Sequence, residues 1–499
     1  MKLQNINSTT TRLKAKSIFL SLMFFSGIFT TAQTKNNPEV ELDINSWTTQ
    51  ESIFDSYQIC QTTITHAPEA RQKIVTPQKD WTIILYLAAD NDLGPFAVRN
   101  IKQMASVGST KHVNILIHLD IKTVGRKKVT RRFYVEKNKL VQLNTNDPIT
   151  QKMDSGDPQT LISCFKWASH DFPAENYALF LWDHGTGSLD PASGRIFNAN
   201  ELFTYNANTN KLELDRSIGY LEYVGIIQHL NTLEQRGICC DDTTGNYLTN
   251  QKLEFALKAI CKECLNGKKI SILGFDACLM GCIEIASIAK KYAEYMVASQ
   301  EVVLGSGWNY QKTFAPFIDR DLPKEKFAEH IVLAFDDTYS HVTNDYTQAA
   351  INLAGIIQLE KSINTISLQL MECLKKQTNG SVKKAIQTSR NKRNCTHFDE
   401  PSYIDLNHFL CNIQQNLNQF KLSSNQEEVK AKQNLNKNIE DAKKLISKIV
   451  IANKTGSNLR KASGISIYFP EHRIHSSYKK TSFAASNYWF SFLSVYLFS

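Results

Sequence analysis

No apolar run in this 499-residue sequence is long enough to cross a bilayer comfortably. The candidate with the most apolar character, Ile18 to Phe29, is only about 12 residues long. There is no internal repeat, which excludes solenoids and repeat arrays. There is no EF-hand-like loop. Cys261-x-x-Cys264 has no second pair to complete a zinc set, and it falls in a helical-looking stretch (LEFALKAICKECL). The basic clusters, Arg126 to Lys128 with Arg131-Arg132 and Lys383 to Arg393, lack the interleaved aromatics of a single-strand nucleic-acid binder. With a formal net charge of only +9 they read as solvated faces, so no nucleic-acid partner is expected.

What is present points to export. Lys2, Arg12, Lys14 and Lys16 precede the short apolar run, and Thr30-Thr31-Ala32 follows it, the layout of a signal peptide over residues 1–32 with no stable membrane anchor afterwards. Residues 33–79 are polar and read as a propeptide or flexible lead. From Asp80 onward strand and helix patterns alternate, which predicts an α/β domain over 80–376 with a mostly parallel sheet. Residues 377–499, rich in Lys, Asn and Gln in their first part, read as a smaller C-terminal subdomain. The 11 cysteines suffice for disulfides in an oxidising compartment, with no pairing deducible.

Two segments carry the chemistry. The apolar run Tyr177 to Leu181 leads into Trp182-Asp183-His184-Gly185, and the run Ile270 to Phe275 leads into Asp276-Ala277-Cys278. Each reads as a buried strand ending in a reactive residue, and in an open parallel sheet the carboxyl ends of the strands line the ligand crevice. Neighbouring strands would bring His184 and Cys278 together across 94 positions of sequence. A thiol needs a base to become a nucleophile, and an imidazole supplies it and later protonates the leaving amine. Gly185 leaves its N–H unobstructed, which with that of Cys278 makes an oxyanion-hole pair. A helix read from Leu279 onward would set its positive end near the sulfur. Taken singly, a strand-end His is usually structural and a Cys in apolar surroundings a core residue.

In order, the segments WTIILYLAADNDLG (from Trp81), YALFLWDHGTG (from Tyr177), CCDDTTGNYLT (from Cys239), ILGFDACLMGCIEIA (from Ile272), ASQEVVLGSGWNY (from Ala298) and SGISIYFP (from Ser463) resemble the clostripain family of cysteine peptidases, relatives of caspases, gingipains and legumains. The resemblance implies a caspase-like α/β/α sandwich and an endopeptidase with His184 as acid–base and Cys278 as nucleophile, passing through a thioester. It also implies cleavage after Arg or Lys. Asp276 is then the acid of the specificity pocket, its alternative role being to cap the following helix. Ser306 and Trp308 belong to the pocket loop, with Ser306 standing where relatives often carry Asp.

The chain between the two strands is longer than one crossover helix requires, which makes residues 188–236 an insertion. The resemblance implies self-cleavage there, with Arg195, Lys211, Arg216 and Arg236 as candidate points and a monomer or self-cleaved two-chain form as product. No cofactor is needed for the chemistry, and no metal ligands are assigned. The resemblance leaves Ca2+ as an option, with Asp241-Asp242 as oxygen donors or as a plain surface turn. Asp90 and Asp92 read as helix caps, with ion binding as the weaker option. The alternative to a peptidase of protein or peptide substrates is an inactive secreted binding protein of the same fold.

Overall fold

The computed structural model describes residues 78–122, 128–143, 152–189, 202–216 and 237–499. Among these, nine strands share one sheet: β1 (Lys79–Ala89), β2 (Val113–Lys122), β3 (Lys128–Glu136), β4 (Lys139–Gln142), β5 (Ala174–Trp182), β6 (Ile270–Asp276), β7 (Ala293–Ala298), β8 (Thr347–Asn352) and β9 (Val450–Thr455). Their spatial order is β9-β8-β7-β6-β5-β1-β2-β3-β4. The five central strands, β7 through β2 in that order, run parallel, and antiparallel pairs extend both edges.

The central strands are apolar without alternation because both of their faces are covered. In β1, Ile84, Tyr86 and Ala88 point into one core, while Trp81, Ile83, Leu85 and Leu87 point into the other. Helix α1 (Gly94–Val107) packs in the second core, whereas α2 (Pro158–Asp171) and α3 (Asn250–Glu263) pack in the first. The result is the three-layer α/β/α architecture expected from the sequence.

Three elements differ from that expectation. The helix after Cys278 begins only at Ile283 (α4, Ile283–Ala289), with Cys282 as its N-cap. The N–H groups of Leu279 and Gly281 are taken by the carbonyls of Glu301 (3.3 Å) and Ser299 (2.7 Å), so this stretch runs on as a ladder and cannot coil. No helix terminus therefore abuts the sulfur, and Cys282 is not one turn along a helix from Cys278. Near the C-terminus, a helix spans Asn425–Ile449, and Val450 starts β9. Residues beyond 377 thus contribute an edge strand to the main sheet, and Tyr403–Asp405 pairs with Ser466–Tyr468 in a small sheet of its own. Finally, Lys128 and Arg132 of the basic hairpin are buried: Lys128 pairs with Asp90, Asp120 and Asp241, and Arg132 stacks over Trp167 at 5.2 Å.

Candidate active site

The pairing register of β5 and β6 sets Asp276 beside Trp182. The N–H of Asp183 reaches the carbonyl of Asp276 (3.4 Å), so the pairing persists past the strand ends. His184 and Cys278 each lie two residues beyond the Trp182–Asp276 pair, on the loops that leave the two adjacent strand ends. Both line one cleft with Leu93, Asp183, Asp276, Val303, Leu304, Gly305 and Gly307. Gly185 is required by this approach. A Cβ there would lie 2.6 Å from the carbonyl oxygen of Cys278 and 2.9 Å from the Ala277 methyl.

Cys278 is 6% exposed, and the Val303 N–H donates to its Sγ at 3.2 Å. The next residue, Leu279, holds φ at 61°, a left-handed conformation unfavourable for a bulky side chain and the kind of strain found at functional turns. His184 is equally buried, and its Nε2–H donates to Asp92 Oδ1 at 2.7 Å. Burial alone would lower the imidazole pKa. The Asp92 carboxylate, through charge and hydrogen bond, outweighs it with help from Asp183 and Asp242, and the pKa rises to about 9.

Asp92 is thus the residue the sequence reading missed. It does not cap α1, whose N-cap is Leu93 without a side-chain bond. Asp90 is no cap either, because its carboxylate pairs with Lys122 and Lys128. The available signal was position: Asp92 follows the end of β1, the strand next to β5. A second missed residue is Tyr403. Its hydroxyl donates to the Thr186 carbonyl (3.0 Å) and accepts the N–H groups of Ser188 and Leu189, bracing the loop that carries His184 from the C-terminal part of the chain.

Asp276 is 4% exposed and does not cap a helix. Its Oδ2 accepts the Trp308 N–H and the Tyr310 O–H, both at 2.9 Å, while Oδ1 has no hydrogen-bond partner. Burial pushes this carboxyl up to about 7 against the lowering effect of those two donors. Ser306 and Trp308 do not line the cleft. The Ser306 hydroxyl turns away to Tyr339 (2.8 Å), in helix α5 (Lys324–Tyr339), and the Trp308 ring lies under Gly274 against Phe180. Both act on the pocket from behind, as supports of the loop that holds Asp276.

The insertion contributes to the cleft wall. After the undescribed residues 190–201, a hairpin of Phe203–Asn206 and Lys211–Leu214 brings Leu202 and Phe203 into the cleft lining. Lys211 donates to the Ser340 carbonyl and to Asn344 Oδ1, both at 2.8 Å. Arg216 pairs with the fully buried Glu301 (2.7 Å) and with Asp345 (3.4 Å). Both basic residues are thereby tied down, whereas Arg195 and Arg236 lie outside the described residues.

The donor set at Asp241-Asp242 does not fit a calcium ion. Asp241 is 1% exposed, and its oxygens are taken by the Lys128 ammonium and the N–H groups of Ser155 and Thr244. Among the described residues no group of three or more His, Cys, Asp or Glu is arranged to hold a metal ion, and the ten described cysteines, Cys261 and Cys264 included, are free thiols.

A sequence model of the clostripain family matches residues 85–215 and 225–495. The chain belongs to the clostripain family. That family is one of cysteine peptidases. Clostripain of Hathewaya histolytica is 24% identical over 256 residues, 47% of this chain and 41% of that protein, so the match spans less than half of either. Two solved structures share the fold. A secreted C11 cysteine protease from Bacteroides thetaiotaomicron, in complex with an irreversible peptide inhibitor, superposes with a TM-score of 0.50 at 19% identity, covering 83% of this chain and 99% of that one. An inactive zymogen C11 protease from Parabacteroides distasonis gives 0.50 at 17%, with the same coverage. The family assignment and the fold thus agree with the reading of the sequence.

Proposed function

We propose that the protein is an exported endopeptidase that cuts after basic residues, with Cys278 as nucleophile, His184 as acid–base and Asp92 as the group that orients and charges the imidazole. The observation that carries the basic preference is the free Oδ1 of Asp276 in a nine-tenths buried pocket floor beside the nucleophile. A cationic side chain entering the cleft supplies the missing partner.

In the reaction the thiolate attacks the substrate carbonyl, and the oxyanion forms near the N–H groups of Gly185 and Cys278. Because a carboxylate can only accept, Nε2–H stays directed at Asp92, which holds the imidazole charged as the acid for the leaving group. The tetrahedral intermediate collapses as the C–N bond breaks and the amine leaves with the imidazolium proton. A water, deprotonated by the now neutral His184, then hydrolyses the thioester.

Leu202 and Phe203 of the insertion in the cleft wall support a latent precursor, and self-cleavage between 188 and 236 is the release. Lys211 and Arg216 are held in hydrogen bonds and ion pairs, so Arg195 and Arg236 are the better candidates. Export by residues 1–32, which lie outside the described residues, completes the proposal. No described helix is long and apolar enough to cross a membrane.

Mass spectrometry after incubation with peptides carrying Lys, Arg, Asp or Leu before the scissile bond, and with a thiol-directed inhibitor ending in Lys, tests the reading. Cleavage after the basic residues and one adduct, on Cys278, are expected. No reaction at Cys278 would return belief to an inactive binding protein of this fold.

Asp92→Asn keeps the shape and removes the charge that opposes burial at His184. The imidazole pKa then falls from about 9, so the alkaline limb of kcat/KM moves down by about a unit or more, and kcat drops about 100-fold. A pH–rate profile checks this. An unmoved alkaline limb would remove Asp92 from the mechanism.

A further inference from the structure

The floor of the specificity pocket can be inventoried group by group. Asp276 Oδ2 is saturated by two donors, the Trp308 N–H and the Tyr310 O–H. Three neighbouring carbonyls are engaged as well. Leu304 O accepts the Gly307 N–H, Ser306 O accepts from Asn100 Nδ2, and Gly307 O accepts the Tyr339 hydroxyl. Ser306, the residue that could have supplied a further acceptor to the cleft, turns its hydroxyl to Tyr339 instead. Gly307, with φ at 58°, lies directly over the carboxylate, where a Cβ would sit 2.6 Å from Oδ2. Asp276 lines the cleft and keeps one uncommitted oxygen, the buried Oδ1, in surroundings of Trp308, Tyr310 and Tyr339 that are at most 2% exposed.

The two basic side chains place different demands on such a floor. A guanidinium carries five N–H donors in a rigid plane and binds a carboxylate best through both oxygens at once. An ammonium carries three donors and needs no fork. With Oδ2 committed, a guanidinium must either displace the Tyr310 hydroxyl or bury several donors without partners, and each unpaired buried donor is unfavourable.

From this we infer that the Asp276 pocket selects lysine over arginine at the residue preceding the cut bond, with Tyr310 as the specificity-determining residue. The inference rests on the basic preference proposed above. It also bears on maturation. The insertion between 188 and 236 contains a single lysine, Lys211, which is tied to Ser340 and Asn344. Self-processing at Arg195 or Arg236 therefore runs against the preference and is slower than turnover of a good lysine peptide.

The test compares kcat/KM for matched peptides with Lys, Arg, citrulline or Leu before the scissile bond, using the self-processed enzyme and its Tyr310→Phe variant. Lysine is expected to exceed arginine by about tenfold or more in the parent enzyme, the factor that one lost hydrogen bond of about 1.4 kcal/mol represents. In Tyr310→Phe, Oδ2 loses a donor, and the ratio should fall toward one, chiefly through a lower KM for the arginine peptide. Arginine equal to or faster than lysine in the parent enzyme overturns this inference and leaves the basic preference standing. Both rates falling together in Tyr310→Phe overturns the role of Tyr310. Citrulline or Leu cut as fast as the basic residues overturns the basic preference itself, and this inference with it.

Discussion

Cys278→Ala is expected to lower kcat by about a millionfold, and His184→Ala by a similar factor, with the double variant no worse than either single one. The non-additivity follows from the geometry. The two side chains leave adjacent strand ends and act on one proton and one carbonyl, so removing either leaves the other without a task. Neither change should unfold the chain: the sheet register is set by other residues, and Cys278 is one small side chain of a large apolar core. Thermal melts beside the kinetics separate the two effects. A His184→Ala enzyme within tenfold of the parent would break the proposed pairing.

The second large effect is expected at Asp276. Asp276→Asn keeps the bonds to Trp308 and Tyr310 within reach but leaves a bound cation buried and unpaired, which costs about 3–5 kcal/mol. The corresponding loss in kcat/KM for basic peptides is about 10²- to 4 × 10³-fold. Peptides with a neutral residue at that position should be spared. The pH dependence gives an independent check. Asp276 must be ionised to hold a cation, and burial raises its pKa to about 7. In the parent enzyme kcat/KM for basic peptides therefore rises as pH increases through about 7, and in Asp276→Asn this limb is absent. An unchanged acid limb would mean that the pocket charge resides elsewhere.

How much of this was legible in the sequence follows from how local each signal is. The strands that carry His184 and Cys278 announce themselves because their apolar runs are short, unbroken and end at once in polar residues. The helix after Cys278 was misplaced because LMGCIEIASIAKKY has helical composition throughout, and only the pairing of Leu279 and Gly281 with the segment at Ser299–Glu301 denies its first turn. Nothing local to residue 279 reports on a partner twenty residues away. Asp92 was hidden by a plausible local alternative, since an Asp between a strand and a helix is an ordinary capping signal. Its actual partner lies 92 positions along the chain. Ser306 and Trp308 sit on the correct loop, but which of a loop's side chains face inward depends on turn geometry, here on Gly307 in the left-handed region.

The β5–β6 pairing also determines which kinds of change in the gene this enzyme can absorb. Loop length between residues 188 and 236 is close to a free parameter, because both reactive side chains hang from strands that meet regardless of how far the intervening chain wanders. Parity within either strand is not free. One codon inserted or lost inside β5 or β6 would turn every side chain beyond it to the opposite face of the sheet, exchanging core residues between the two layers and displacing one reactive side chain from the other. Length variation among descendants of this gene should therefore accumulate in the insertion, and frame-preserving single-codon changes in the two strands should be absent.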